Sequence, residues 1–214
     1  MTPHIKRLIK ALLAPFNRIG LKNRDFSIIS NNCWGGFYYD KFHLPYKSPT
    51  IGLFIPPKDY VKFINNLKYY FDAELQEVKF DQSSYKGMLL RKQEKGYLSS
   101  VETMVIGKLR DIEIMFLHYD SFPEAKNKWD KRKTRINYNN LIVKFNDQNE
   151  FELDDYYEFE KTPYQNKVFF SSNKELKCKK DVYYISKYET LGFALDDMHC
   201  GFDIKKYLNS LIHD

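Results

Sequence analysis

Ile112-Glu113-Ile114-Met115-Phe116-Leu117-His118, followed by Tyr119-Asp120 and Ser121-Phe122-Pro123-Glu124, decides the fold class of this 214-residue chain. Ile112, Ile114, Phe116 and His118 fall on one face of an extended strand. Asp111, Glu113, Met115 and Leu117 fall on the other. Ser121 with Glu124 three residues later reads as a capping box, and Pro123 suits the first turn of a helix. The helix is expected to reach about Asn137, with Ala125, Trp129, Arg132 and Ile136 sharing its inward face.

Working outward, the alternation of strand and helix repeats. Phe26–Ser30 reads as a short buried strand entering a turn, Asn31-Asn32-Cys33-Trp34-Gly35-Gly36. Thr50–Ile55 reads as a second strand, stopped by Pro56-Pro57. A helix follows from about Asp59, with Tyr60, Phe63, Ile64, Leu67 and Phe71 on one face. The charged, glycine-punctuated stretch 78–97 is read as hairpin strands. Downstream come a strand at Leu141–Phe145, a helix at Asp154–Lys161, strands near Val168–Phe170 and Val182–Ile185, and a helical tail from Phe202 to Ile212. The expectation is an α/β fold over residues 25–214, a single layered domain with a mixed or mostly parallel sheet flanked by helices.

Residues 1–24 stand apart. Ile5, Leu8, Ile9, Leu12, Leu13 and Phe16 recur at helical spacing, Lys6, Arg7 and Lys10 cover the other side, and every charged residue before Asp25 is basic. Such a basic amphipathic helix either packs its stripe on the domain or lies in an anionic bilayer surface. Pro15 is expected to kink it or end it early.

Hydrophobic residues make up 43% and charged residues 29%, ordinary for a soluble globular protein, while aromatics reach 17%. That excess suits core packing or a sugar-stacking surface. The net charge of +6 favours anionic partners. Nucleic acid is not among those expected, since no zinc-finger spacing, RNA-binding aromatic signature or long basic tail is present. Cys33, Cys178 and Cys200 form no metal-ligand or disulfide framework, which reads as a reducing, cytoplasmic setting. No secretory signal or membrane span fits. No Walker loop and no dinucleotide glycine fingerprint occur, so neither ATPase nor dehydrogenase is supported, and no cofactor or bound metal is expected.

The candidate chemistry centres on Cys33 and His118. Cys33 follows a strand in a glycine-rich turn, where a helix N-terminus would favour the thiolate and backbone N–H groups would hold an oxyanion. The alternative is a small buried hydrophobe. His118 ends its strand at the sheet edge where α/β sites gather, and is the natural base, or else caps a strand by hydrogen bonding. Arg132 sits on the inward face among Lys128, Lys131 and Arg135; its partner is a carboxylate such as Asp111 or Glu113, or an anionic ligand. Asp111 and Glu113 also resemble the acidic metal motif of nucleotide-sugar glycosyltransferases. Asp196-Asp197 reads as loop or cap acids.

Two blocks together resemble a known family. The first is Ser30-Asn31-Asn32-Cys33-Trp34-Gly35-Gly36 with Tyr46 and Ser48-Pro49-Thr50-Ile51-Gly52-Leu53-Phe54-Ile55. The second is Gly107, Asp111–Ile114, Phe116–Tyr119, Glu124-Ala125, Lys128-Trp129, Arg132 and Arg135-Ile136-Asn137. They look like a bacterial family of unknown function whose members are commonly named exopolysaccharide biosynthesis proteins. The layout is also distantly similar to a family described as papain-like cysteine peptidases, onto which Cys33, His118, Lys128, Arg132 and Arg135 can be placed. The resemblance implies an enzyme of surface-glycan biosynthesis with Cys33 and His118 catalytic, acting on a glycan or lipid-linked glycan. Asn31, Asn32, Trp34, Gly35, Gly36, Asp111, Glu113, Lys128, Trp129 and Arg132 would then face substrate. The alternatives are a metal-dependent glycosyltransferase using Asp111 and Glu113, and a non-catalytic glycan-binding assembly protein.

Overall fold

The computed structural model describes residues 3–211. Ile212 and His213 lie outside the described residues, as do the side chains of His4, Lys6, Arg7, Leu8 and Lys10.

Two four-stranded sheets form an α/β architecture. The first is wholly parallel, in the order β1 (Ser27–Ser30), β6 (Leu141–Asn146), β7 (Lys167–Ser171), β8 (Val182–Tyr184). The second is antiparallel, in the order β2 (Leu53–Phe54), β5 (Ile112–Phe116), β4 (Val105–Leu109), β3 (Gln76–Val78). The expected strand at Ile112 is therefore central to a sheet separate from that of Cys33.

Strand alternation assigns the layers. Ile29, Val143, Phe145 and Phe169 point into a core shared with the antiparallel sheet's Leu53, Leu109, Ile112, Ile114 and Phe116. That core also takes Tyr60, Phe63 and Ile64 of α3 (Pro57–Asn65), Leu67, Tyr70 and Phe71 of α4 (Leu67–Phe71), Trp129 of α6 (Phe122–Lys133) and Phe159 of α7 (Leu153–Lys161). Ile28, Ile142, Val168 and Phe170 point the opposite way. They meet Trp34 and Tyr38 of α2 (Trp34–Lys41) and Ile204 and Leu208 of α8 (Ile204–Ser210). The outer face of the antiparallel sheet, with Phe54, Ile106 and Met115, is closed by Met88 and Leu89 of α5 (Lys86–Glu94). Both faces of β1, β5, β6 and β7 are covered, so these strands are almost wholly buried, whereas the edge strand β3 is mostly polar and exposed.

The two sheets are bonded to each other. The Ile55 amide donates to Asn31 O at 2.9 Å. The Tyr60 hydroxyl lies 2.9 Å from Ile29 O and 2.8 Å from Lys144 O, sharing one proton between strands β1 and β6.

Several boundaries differ from the sequence reading. Residues 86–94 form α5, not a hairpin strand; Met88 and Leu89 supply the one apolar patch that the outer sheet face needs. The helix expected from Asp59 to Phe71 breaks at Asn66, whose side chain accepts from Tyr69 N and restarts it as α4. α6 starts on Ser121 as expected, its side chain accepting from Glu124 N, but Glu124 reaches back to Asp120 N, so only half of the capping box forms. α1 (Pro3–Asn17) runs through Pro15, whose ring is tolerated on an exposed face.

Gly107 marks how tightly the antiparallel sheet is packed. A Cβ there would stand 2.8 Å from Leu75 Cδ1 and 2.9 Å from Phe116 Cε2. Gly107→Ala is expected to lower stability by about 1–3 kcal/mol, read as a lower urea midpoint at unchanged slope; an unchanged midpoint would mean that Leu75 has room to retreat.

Candidate functional site

Strand β1 ends at Ser30 and delivers Asn31 to Cys33 to the carboxyl edge of the parallel sheet, where α/β folds place their sites. Cys33 is the N-cap of α2. Below it lies a buried polar cluster. The Lys144 ammonium, fully buried, pairs with the Asp197 carboxylate and donates to Asn32 Oδ1 at 3.0 Å and Asn31 Oδ1 at 3.3 Å. Asn146 Nδ2 donates to Asp197 Oδ2 at 2.7 Å, Asn32 Nδ2 to the same oxygen at 3.1 Å, and Asn31 Nδ2 to Asn146 Oδ1 at 2.7 Å. Trp34 Nε1 donates to Asp197 O at 3.2 Å, fixing the loop that carries the acid. Burial pushes the Lys144 amine below its ordinary value, against the pull of Asp197.

These contacts correct three expectations and refine a fourth. Asp197 stands in a loop, as expected, and there it is the counter-ion of a strand lysine. Asn31 and Trp34 are fully buried framework residues and offer no face to a substrate. The first N–H groups of α2 are already engaged, Trp34 N with Asn32 Oδ1 at 3.1 Å and Gly35 N with Ser30 Oγ at 3.4 Å, so neither is open to an oxyanion. Cys33 is also no ready thiolate. Its thiol is pushed up to about 11, first by burial and then by the charge of Asp197, which outweigh Lys144. The Sγ–H points at Leu53 O, 3.7 Å away.

One cleft of about 540 Å³ gathers Cys33, Gly36, Asp40, Tyr46, Gly52, His118, Tyr119, Lys128, Arg132 and Met198. The expected pair, Cys33 and His118, and both expected cations thus share one opening, although they come from two sheets. Gly52 makes this possible. It adopts φ +71, and a Cβ there would meet Tyr119 Cε2 at 3.2 Å and His118 Cβ at 3.3 Å, while its carbonyl accepts from His118 N at 3.1 Å. His118 is exposed and its ring has no hydrogen-bond partner among the described residues.

Arg132 is held from two sides. Its Nη1 donates to the Tyr119 hydroxyl at 2.6 Å, and its guanidinium stands 4.9 Å from the centre of the Tyr46 ring. The Tyr119 hydroxyl passes its own proton to Ile51 O at 2.5 Å. Among the described residues no carboxylate lies within ion-pair distance of Arg132. The acids expected to pair with it are occupied elsewhere. Asp111 meets Lys62 at 3.1 Å and the Tyr70 hydroxyl at 3.0 Å, and Glu113 is buried against Ser83 Oγ at 2.5 Å and Ser84 N at 3.0 Å. Lys128 pairs with Glu124 on its own helix. Trp129 is buried in the main core and does not reach the cleft; Gly35 packs on Ile28, whereas Gly36 lines the opening. Among the described residues no group of three or more His, Cys, Asp or Glu is placed to hold a metal.

Sequence reasoning missed Lys144, Asn146, Tyr46, Gly52 and Tyr119 as site residues. One sign was readable: a lysine inside the apolar run Leu141-Ile142-Val143-Lys144-Phe145 has to find a buried partner.

Fold and site together describe an α/β protein whose cysteine-capped helix opens onto a cationic cleft. The chain belongs to the family described as Domain of unknown function (DUF1919), which matches residues 4–210. An uncharacterized protein of Haemophilus influenzae is 32% identical over 188 residues, spanning 87% of this chain and 81% of that protein.

Two outcomes test this geometry. Lys144→Met leaves Asp197 as a lone buried charge and is expected to cost about 3–5 kcal/mol, measured by denaturant unfolding; a loss below ~1 kcal/mol would mean water reaches the acid. A thiol raised to about 11 stays protonated at neutral pH. Iodoacetamide at pH 8 should therefore modify exposed Cys178 well before Cys33, by at least about tenfold. A Cys33 that reacts first would show that the resting thiol is ionised after all.

Proposed function

We propose that this protein is an enzyme of surface-polysaccharide assembly that binds an anionic glycan or lipid-linked glycan and performs an acyl-type transfer or hydrolysis with Cys33 and His118. The observation that carries the reading is the Arg132 guanidinium, fixed in a cleft beside those two residues with no carboxylate partner among the described residues. An arginine held this way by a hydroxyl and a ring suits bidentate recognition of a phosphate or carboxylate. The biosynthetic context comes from the likeness of the Cys33 and His118 blocks to proteins named for exopolysaccharide biosynthesis.

The raised thiol dictates the order of events. Because Cys33 rests as S–H, its proton has to leave as the sulfur bonds to the acyl carbon, and His118 is the group in the cleft to take it. The negative charge that grows on the carbonyl oxygen faces Lys128 and Arg132, with the N–H groups of Cys33 and Gly36 at the same opening, those of Trp34 and Gly35 being engaged. Collapse expels the leaving group with the proton from His118 and leaves an acyl-thioester on Cys33. An acceptor hydroxyl or water then repeats the sequence.

The glycosyltransferase reading has less support: Asp111 lies in the turn between β4 and β5 and Glu113 on β5, each tied to its own partners, and neither lines the cleft. The assembly-protein reading would leave Cys33 inert toward every acyl donor.

The test is mass spectrometry of the intact protein with p-nitrophenyl acetate as a probe. The expected result is one acetyl group on Cys33, absent in Cys33→Ala and formed about 10²-fold more slowly in His118→Ala. Inorganic pyrophosphate should slow labelling in the native protein but not in Arg132→Ala. No labelling of Cys33, or labelling unchanged in His118→Ala, would sink the dyad.

A further inference from the structure

α1 carries a stripe that the fold leaves bare. Leu12, Phe16 and Ile19 follow one another at helical spacing around the end of the helix and are 73%, 68% and 68% exposed; Ile9 and Leu13 beside them are also exposed. Of the two roles the sequence allowed, packing the stripe on the domain is therefore not the one adopted. The opposite side is what packs, with Ala14 and Leu21 buried. Three hydrogen bonds lock that attitude: Asn17 Nδ2 to Lys41 O at 2.9 Å, Arg18 Nε to Phe42 O at 2.6 Å and Arg18 Nη2 to His43 O at 2.5 Å. Both residues hold the end of α2 opposite to Cys33. The helix cannot roll its apolar residues inward without breaking them.

The charged residues of the segment itself have one sign in the sequence. Lys6, Arg7, Lys10, Arg18, Lys22 and Arg24 are the charged residues before Asp25. Lys205, from α8, donates to Ile19 O at 3.0 Å and adds a further cation at the rim. A second copy of this surface would bring like charges together, whereas an anionic lipid headgroup layer meets both features at once. Among the described residues no helix is long and apolar enough to cross a membrane, so the contact is one of lying on the surface.

We infer that the bare face of α1, from Ile9 to Ile19, docks the protein on an anionic phospholipid bilayer, with Leu12, Phe16 and Ile19 entering the headgroup boundary. This surface is independent of the chemistry in the cleft, although a lipid-linked substrate would meet the enzyme there.

The full chain is mixed with vesicles of phosphatidylcholine alone, or of phosphatidylcholine containing phosphatidylglycerol, and sedimented. The expected result is pelleting with the phosphatidylglycerol vesicles only, weakening as salt is raised. Leu12→Glu/Phe16→Glu should lower partitioning more than about tenfold, with an unchanged thermal midpoint because both side chains are exposed. In a Phe16→Trp variant the added indole should shift to the blue with the same vesicles, against a steady background from the buried Trp34 and Trp129. Failure to pellet, full pelleting of the double glutamate variant, or a lipid-free dimer lost in that variant would each overturn the inference. Acetyl labelling of Cys33 in lipid-free buffer reads the cleft separately, so the two proposals fail independently.

Discussion

Lys144 and Asp197 are the pair around which the rest is arranged. A strand lysine with no access to water needs both a counter-ion and acceptors for its remaining protons, and the cost of leaving either unmet exceeds that of most single contacts in a fold. Meeting it recruits Asn31 and Asn32 after β1, Asn146 at the end of β6 and the loop around residue 197, three segments distant in sequence. The carboxyl edge of the parallel sheet is thereby organised as one unit, and Cys33, directly after Asn32, has little freedom in where it can stand. The same acid reaches the sulfur electrostatically and helps to keep it protonated.

The cleft itself is a product of joining two sheets. Neither sheet alone contains it, since Cys33 belongs to the edge of the parallel sheet and His118 follows the antiparallel strand β5. What aligns them is the stretch Gly52 to Ile55. Gly52 O takes the amides of Leu117 and His118, Leu53 O takes the Cys33 thiol, and the Ile55 amide holds Asn31 O. Four residues thus clasp both halves of the opening, which explains why the site resists being read from either half by itself.

Much was legible in the sequence because local rules sufficed. The alternation at Ile112, the Ser121 cap and the turn formers before Trp34 are all short-range signals, and the N-cap placement of Cys33 follows from the last of them. Arg132 on the inward face followed from helical period alone. The failures have physical causes too. Residues 86–94 carry only a small apolar patch, so their helix is decided by the sheet face they cover and not by their own periodicity. Asp197 lies 53 residues from Lys144, and no local pattern distinguishes a buried acid from the adjacent Asp196, which caps Met198 N and His199 N at a loop. The engagement of the α2 amides was equally hidden, because it depends on side chains of Ser30 and Asn32 turning back on their own helix.

Charge is layered through the site, and the layering constrains what it can accept. Behind the sulfur stands Asp197, neutralised by Lys144 but near enough to oppose ionisation; in front stand Arg132 and Lys128, with Glu124 drawing on the second. An anionic group entering the cleft, as proposed, would meet Arg132, which has no carboxylate within ion-pair distance among the described residues, although Asp40 lines the same cleft and Glu124 feels its charge. In binding it would exclude water from around Cys33. Drying the site raises the cost of a free thiolate further, so a mechanism that begins with a preformed thiolate–imidazolium pair becomes less favourable as the substrate arrives. One in which proton loss and sulfur attack occur together does not carry that penalty, because no full negative charge ever rests on the sulfur. Burial first, and the buried acid second, keep the thiol neutral and resistant to chance alkylation. Under the proposed chemistry the cysteine would react only when a carbonyl and the His118 imidazole are in place at the same moment.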